Sequence, residues 1–182
     1  KDTAIVRIEK KIPLILRDTA ICEGEDLIYK SGYPVSGYTH TWQDSSSGNE
    51  FSISDADLGF TGLVSLRVET DEGCFGDTSV QLIVNALPDP QLSSTPICLG
   101  DSMLLNHGLT GVQSLWDNGD TTNPVTVKTA GVYRVTVTDS NNCVDTVSVN
   151  IVVESPPSFT LPPDSSLCEG EEYALGTGLS SS

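Results

Sequence analysis

Five cysteines, two histidines and a large excess of carboxylates are the side chains through which this 182-residue chain could do chemistry. Three of the cysteines sit in one recurring motif, apolar-Cys-x-Gly-acidic-x-apolar. It reads Ile21-Cys22-Glu23-Gly24-Glu25-Asp26-Leu27, Ile97-Cys98-Leu99-Gly100-Asp101-Ser102-Met103 and Leu167-Cys168-Glu169-Gly170-Glu171-Glu172-Tyr173. The other two, Cys74 and Cys143, each lie 12 residues after a glycine, Gly62 and Gly131, that opens an alternating apolar run. Thiols in such a pattern form disulfides or bind metal. No Cys-x-x-Cys or His-x-x-x-His spacing is present, which argues against zinc.

Acid–base chemistry finds little support. His40 lies two residues before Trp42 and shares its strand face, so it reads as filling the sandwich edge. His107 precedes Gly108 in a turn, and neither histidine has a partnered counterpart in the other copy of the repeat. No Gly-x-Ser-x-Gly elbow occurs, and alternation would send the neighbouring Glu171 and Glu172 to opposite strand faces. The expectation is no enzyme and no catalytic residue. Asp55-Ala56-Asp57-Leu58-Gly59 starts like a calcium loop, but Gly59 replaces a ligand and Leu66 stands where the bidentate Glu belongs. Glu23, Asp89 and Asp101, near module ends, are the remaining calcium candidates. The alternative is a solvated acidic surface that keeps the chain soluble, with no cofactor at all.

The elements that carry these residues are strands. Val80, Leu82 and Val84 follow Cys74 at the same offsets as Val149, Ile151 and Val153 follow Cys143, and each trio falls on one sheet face. Proline-bearing links follow, at Leu87-Pro88-Asp89-Pro90 and Ser155-Pro156-Pro157. The pattern predicts residues 1–12 as the last strand of a preceding module, 13–87 and 88–156 as whole modules, and 157–182 as the start of another. Short Val/Ile/Thr-rich runs between Gly, Asn, Asp and Ser clusters predict an all-β fold of tandem small antiparallel sandwiches, and Trp42 and Trp116, 20 and 18 residues after Cys22 and Cys98, make them look Ig-like. Each module is expected to hold one internal disulfide, Cys22–Cys74 and Cys98–Cys143. Cys168 would pair outside the fragment. The loops so closed, 52 and 45 residues long, would be worth roughly 4 kcal/mol each. Disulfides place the chain in an oxidising compartment, hence outside the cell.

Net charge is −16, which disfavours nucleic acid as a partner, because phosphate binding needs clustered Lys and Arg. No apolar run approaches the roughly 18 residues of a membrane helix. The first residues alternate apolar and charged, unlike a cleavable targeting segment. A single Met, absent from position 1, and the Ser-Ser-Ser end suggest a piece of something longer. Residues 1–17 are net +3 beside acidic modules, a patch that could guide contact between neighbours or copies.

Cys-x-Gly-Asp early, Trp-x-Asn-Gly in the middle (Trp116 to Gly119), Gly-x-Tyr-x-Val-x-Val-x-Asp late (Gly131 to Asp139) and a closing Cys143 together resemble the Ig-like and PKD-like tandem repeats of large Bacteroidota surface proteins. The first module departs from this pattern, with Val64 in place of Tyr133 and Gln43-Asp44-Ser45 in place of the Asn-Gly turn. The resemblance implies type IX export, cell-surface attachment and a role in adhesion or gliding motility. It also implies O-glycans at Asp-Ser/Thr-x sites, here Thr3, Thr19, Ser102, Thr121 and Thr146. Alternatively, Asp-Thr merely starts strands after turns. The resulting expectation is a semi-rigid spacer whose partners are its neighbouring modules. Two alternatives stand beside it. One is recognition of surface polysaccharide, for which Tyr29, Tyr33, Tyr38 and Phe60 make the first module the better candidate. The other is self-assembly into a filament of copies of the chain.

Overall fold

Alternation of apolar with polar residues lays down thirteen short strands among the described residues, and the order in which they pair is the same in both halves. The structure, a computed structural model, describes residues 11–158, 166–172 and 174. The first half contains β1 (Thr19–Cys22), β2 (Leu27–Lys30), β3 (Tyr38–Trp42), β4 (Glu50–Ile53), β5 (Gly62–Thr70) and β6 (Phe75–Asn85). One sheet runs β1-β6-β5-β3, and β2 and β4 pair as a second. The second half repeats this with β7 (Ile97–Cys98), β8 (Met103–Leu105), β9 (Gln113–Trp116), β10 (Val125–Val127), β11 (Gly131–Thr138), β12 (Val144–Ile151) and β13 (Val153–Glu154). Here β12-β11-β9 form the main sheet, β10 and β8 pair, and β13 continues the line of β12 to pair with β7. The only helical turn among the described residues is the three-residue Leu58–Phe60.

Each half has its own core. Period-2 alternation turns Val64, Leu66 and Val68 of β5 inward against Val80, Leu82 and Val84 of β6, with Trp42 and Ile53 closing the layer. The counterparts in the second core are Val135, Val137, Ile151 and Trp116, with Val149 and Val153 packed at its edge. Both predicted trios thus face a core. Full burial of each such side chain is worth about 1.5–3 kcal/mol, so each half has enough apolar material to form a separate module. Ile12, expected to end a preceding module, belongs instead to the first core. Its main chain presses against β6 so closely that a Cβ on Gly76 would come within 2.3 Å of the Ile12 carbonyl oxygen.

One pairing decides what the ends of a module contain. β1 runs parallel to β6, with Thr19 opposite Leu82 and Cys22 opposite Asn85. β7 likewise runs parallel to β13, with Cys98 opposite Glu154. The remaining pairs are antiparallel. The entering segment therefore travels the whole length of the module beside its last strand, from the β5–β6 hairpin to the exit.

Candidate functional site: the joint between modules

The Cys-x-Gly-acidic motif is a tight turn that ends the first strand. The Glu25 amide donates to the Cys22 carbonyl at 3.1 Å, and Gly24 takes φ +84°. That is the third position of a type II turn, which only glycine occupies cheaply. The acidic residue then folds back, and its carboxylate accepts the Cys22 amide at 2.8 Å. The turn recurs at Asp101 to Cys98 (2.9 Å) and at Glu171 to Cys168 (3.1 Å). Again at Cys168, the Glu171 carboxylate accepts the cysteine amide. Where the acidic residue is Glu, at Glu25 and Glu171, it thus caps the cysteine, whereas Asp101 shares only the backbone turn.

The other cysteines end the hairpin between the last two long strands. Asp139 organises this turn, because its Oδ1 accepts the amides of Asn141 (2.8 Å) and Cys143 (2.9 Å) while its own amide donates to the Cys143 carbonyl (3.0 Å). In the first module Thr70 does the same, with its hydroxyl accepting the Cys74 amide at 3.2 Å and its amide donating to the Cys74 carbonyl at 2.8 Å.

These two settings lie at opposite ends of a module, so the expected internal bridges cannot form. Cys22 is level with Asn85, whereas Cys74 precedes Phe75 at the other end of the 11-residue strand β6. Eleven register steps at about 3.3 Å separate them by about 36 Å, against the roughly 7 Å limit for a disulfide. The same count separates Cys98, level with Glu154, from Cys143. The observed bond joins Cys22 of the first module to Cys143 of the second, with S–S 2.00 Å and Cα–Cα 5.5 Å. Cys74, Cys98 and Cys168 are free thiols in this structure. The correction follows from strand direction: an antiparallel first strand would have brought its cysteine to the hairpin, but a parallel one carries it to the exit.

The joint is closed around this bond. Cys143 is fully buried, and Pro90 of the linker is also buried. The Glu23 amide donates to the Asn85 carbonyl at 2.9 Å, and the Gln91 amide donates to the His107 carbonyl at 3.1 Å, which ties the linker to both modules. The two prolines, Pro88 and Pro90, fix further dihedrals between those anchors.

His107 is itself an internal fixture. Its Nδ1 accepts the Leu109 amide at 3.2 Å, and its Nε2 meets the Ser114 hydroxyl at 2.8 Å. Burial holds its pKa below the ordinary histidine value, partly offset by a hydrogen bond to its own main chain. In the first module the same contact exists with the residues exchanged. Ser31 Oγ accepts the Tyr33 amide at 3.1 Å and meets His40 Nε2 at 3.0 Å. Ser31 and His107 both lie nine residues after the first cysteine, and His40 and Ser114 both lie two before the tryptophan. The expectation that the histidines lack counterparts is therefore corrected. Each pairs with a serine across equivalent positions, and His40 is buried with Trp42 on β3, the edge strand of its sheet, as filling of the sandwich edge requires.

The remaining candidates are scattered. Glu23 and Asp89 flank the joint, but Asp101 lies at the far end of the second module, and no group of three potential metal ligands occurs among the described residues. Asp89 instead accepts the Gln91 side-chain amide. Tyr29 is buried in the core, and Tyr33 and Tyr38 pack on each other at 5.1 Å near the hairpin end. Phe60 is exposed at the exit end, so these aromatics form no single platform. Thr3 lies outside the described residues. Ser102, Thr121 and Thr146 are exposed, whereas Thr19 is half-buried. Structural roles account for the neighbouring aspartates at three sites: Asp18 accepts the Gln81 amide, Asp120 the Thr122 amide and hydroxyl, and Asp145 the Thr146 amide.

The chain is similar to the N-terminal eight-Ig-domain structure of Down Syndrome Cell Adhesion Molecule, with TM-score 0.55 and 16% identity over 82% of this chain and 24% of that one. The fold is immunoglobulin-like. Matches of lower score include the insect immune protein hemolin (TM-score 0.44, 13% identity, 78% of this chain and 46% of that one). The amphioxus IgVJ-C2 molecule also matches (0.35, 19%, 74% and 99%). This chain spans about a quarter of the length of the first of these structures. No family model and no curated protein matches it. No described helix is long and apolar enough to cross a membrane.

Proposed function

We propose that these modules form part of a non-enzymatic extracellular repeat region whose task is to hold distance, as a semi-rigid spacer in adhesion or gliding. The observation that carries this reading is the disulfide placed between modules instead of inside one. A bond inside a module protects that module's fold, whereas a bond across a joint fixes how two modules sit. Immunoglobulin-like folding supports an adhesion-type module at the level of architecture. The reading includes export to an oxidising exterior, where the bond persists. In the Bacteroidota setting that the repeat motifs resemble, this means type IX export, surface attachment, and O-glycans at exposed Ser102, Thr121 and Thr146.

Small-angle scattering of the 182-residue chain with and without reductant tests the reading. The oxidised protein is expected to give a single narrow distance distribution with two resolved modules. Reduction, or the double change Cys22→Ser and Cys143→Ser, is expected to broaden it as the linker gains freedom. Identical profiles in the two states would remove the basis for the spacer role.

A further inference from the structure

Free thiols at Cys74, Cys98 and Cys168 do not look like leftovers once their positions are compared with those of the bonded pair. Cys98 and Cys168 occupy the turn that Cys22 occupies, down to the same backbone hydrogen bond across the Cys-x-Gly-acidic residues. Cys74 occupies the hairpin position of Cys143, with the same closing bond from the fourth residue before it. In each module the turn cysteine marks the exit end and the hairpin cysteine the entry end. The bonded pair thus joins an exit to the next entry. Exposure follows occupancy: Cys143, at the filled joint, is fully buried, while its counterpart Cys74 is half-buried. Cys22 is half-buried, while its counterpart Cys98 is exposed with Leu99 69% exposed beside it.

We infer that Cys74 and Cys98 are the open halves of further joints of the same kind. Cys98 takes the hairpin cysteine of a module of this repeat docked at the exit of the second module. Cys74 takes the turn cysteine of one docked at the entry of the first. The rule is one bond per joint, from the turn cysteine of each module to the hairpin cysteine of its successor, and Cys168 falls under it as the next turn cysteine. This inference rests on module ends and strand direction, and stands whether or not the assembly works as a spacer. Bond formation consumes a disulfide oxidant. One thiolate attacks the oxidant's disulfide and releases one of its sulfurs as a thiol. The second thiolate then attacks the protein sulfur of the mixed disulfide and displaces the oxidant's other thiol. Two protons and two electrons thus pass from the cysteine pair, and the oxidant leaves as two thiols.

Disulfide mapping on the full-length secreted protein tests this, after alkylation without reductant and digestion with trypsin plus an Asp-directed protease. Asp77 and Asp89 allow Cys74 to be cut from Cys98, and Asp145 allows Cys143 to be cut from Cys168. The expected result is a Cys22–Cys143 peptide, Cys98 linked to a hairpin cysteine, Cys74 linked to a Cys-x-Gly cysteine, and loss of alkylation at both. Mixing isotopically labelled and unlabelled copies before oxidation shows whether the partner comes from the same chain or from a second one, as Cys98–Cys74 hybrids would. As a check that does not depend on folding of the mutated module, Cys98→Ser should expose one newly alkylated hairpin cysteine in the partner module. Alkylated Cys74 and Cys98 in the native protein, or Cys22–Cys74 or Cys98–Cys143 peptides, would overturn the rule.

Discussion

Pulling on the oxidised chain should barely lengthen it. The covalent route from Lys11 to Glu154 need not follow the backbone, because it can run from residue 11 to Cys22, cross the disulfide, and continue from Cys143 to residue 154. That route contains about 24 residues, whose full extension at about 3.5 Å each is about 84 Å. The two folded modules already span roughly 72 Å along β6 and the β12–β13 line, taking about 36 Å for each. Complete unfolding of both modules under load can therefore add only about 10 Å, because residues 23–142 lie inside the shortcut. With the bond reduced, all of the roughly 144 residues carry load, and the extension reaches about 500 Å, a gain of more than 400 Å. Internal bridges at Cys22–Cys74 and Cys98–Cys143 would give an intermediate gain of about 100 Å, since about 49 residues would remain in the path. Single-molecule force spectroscopy on the 182-residue chain, held at its ends, separates the three values once the constant contribution of the terminal segments is subtracted. An oxidised chain that gains 100 Å or more refutes the joint as described.

Five further outcomes are expected. Each module has one buried tryptophan, so Trp42→Phe and Trp116→Phe variants let fluorescence follow each module separately in urea. Replacing Cys22 and Cys143 with Ser should lower both midpoints, since an unfolded module beside a folded one loses a closed loop of about 60 residues worth up to about 4 kcal/mol. A shift confined to the Trp42 transition would contradict this. In the second module, His107→Ser and Ser114→His should each cost about 1–3 kcal/mol, and the two together should recover much of it, because the first module uses that exchanged pair. Additive losses in the double-mutant cycle would show that the contact is incidental. Because burial lowers the His107 pKa, its contribution to stability is present above the unfolded value of about 6.5 and lost as pH falls through it. The Trp116 midpoint should drop as pH falls below about 6.5 toward the lowered folded-state value, and His107→Asn should flatten that slope. Ser45, at φ +67°, occupies the place of Gly119, so Ser45→Gly should raise the Trp42 midpoint by up to about 1 kcal/mol. Gly76→Ala should lower it by about 1–3 kcal/mol by pushing the entry segment off β6.

Residue periodicity carried most of the fold. Val80, Leu82 and Val84, and their partners at Val149, Ile151 and Val153, face their cores as alternation requires, and each tryptophan is buried. What alternation cannot report is strand direction. It places Ala20 and Cys22 on a face, but not whether β1 runs with or against β6, and the disulfide pairing turns on that single point. Other features were hidden because different residues perform the same job. Gln43-Asp44-Ser45 reads as a departure from Asp117-Asn118-Gly119, yet both make the same turn, with Trp42 and Trp116 amides accepted by the carbonyls of Ser46 and Asp120. Asp44 Oδ1 and Asn118 Oδ1 then accept the same downstream amides. The His–Ser contact escaped for a similar reason, since aligning like with like leaves each histidine opposite a serine. Matching offsets from Cys and Trp would have revealed it.

The direction of the first strand also explains why a bond at the joint differs mechanically from one in the core. An internal bridge would shield its own module and leave residues 86–96 as the covalent link that any tension must cross. Here the exit turn of one module is sewn to the entry hairpin of the next, so the linker is bypassed under tension. Its prolines then bear on bending, because their fixed dihedrals leave fewer free rotations between linker ends that Asn85 holds in the first module and His107 in the second. Stretching is resisted by sulfur and bending by the linker. The arrangement works because the parallel first strand hands the covalent path from the entry of a module to its exit, so each joint can pass it to the next module in the same direction.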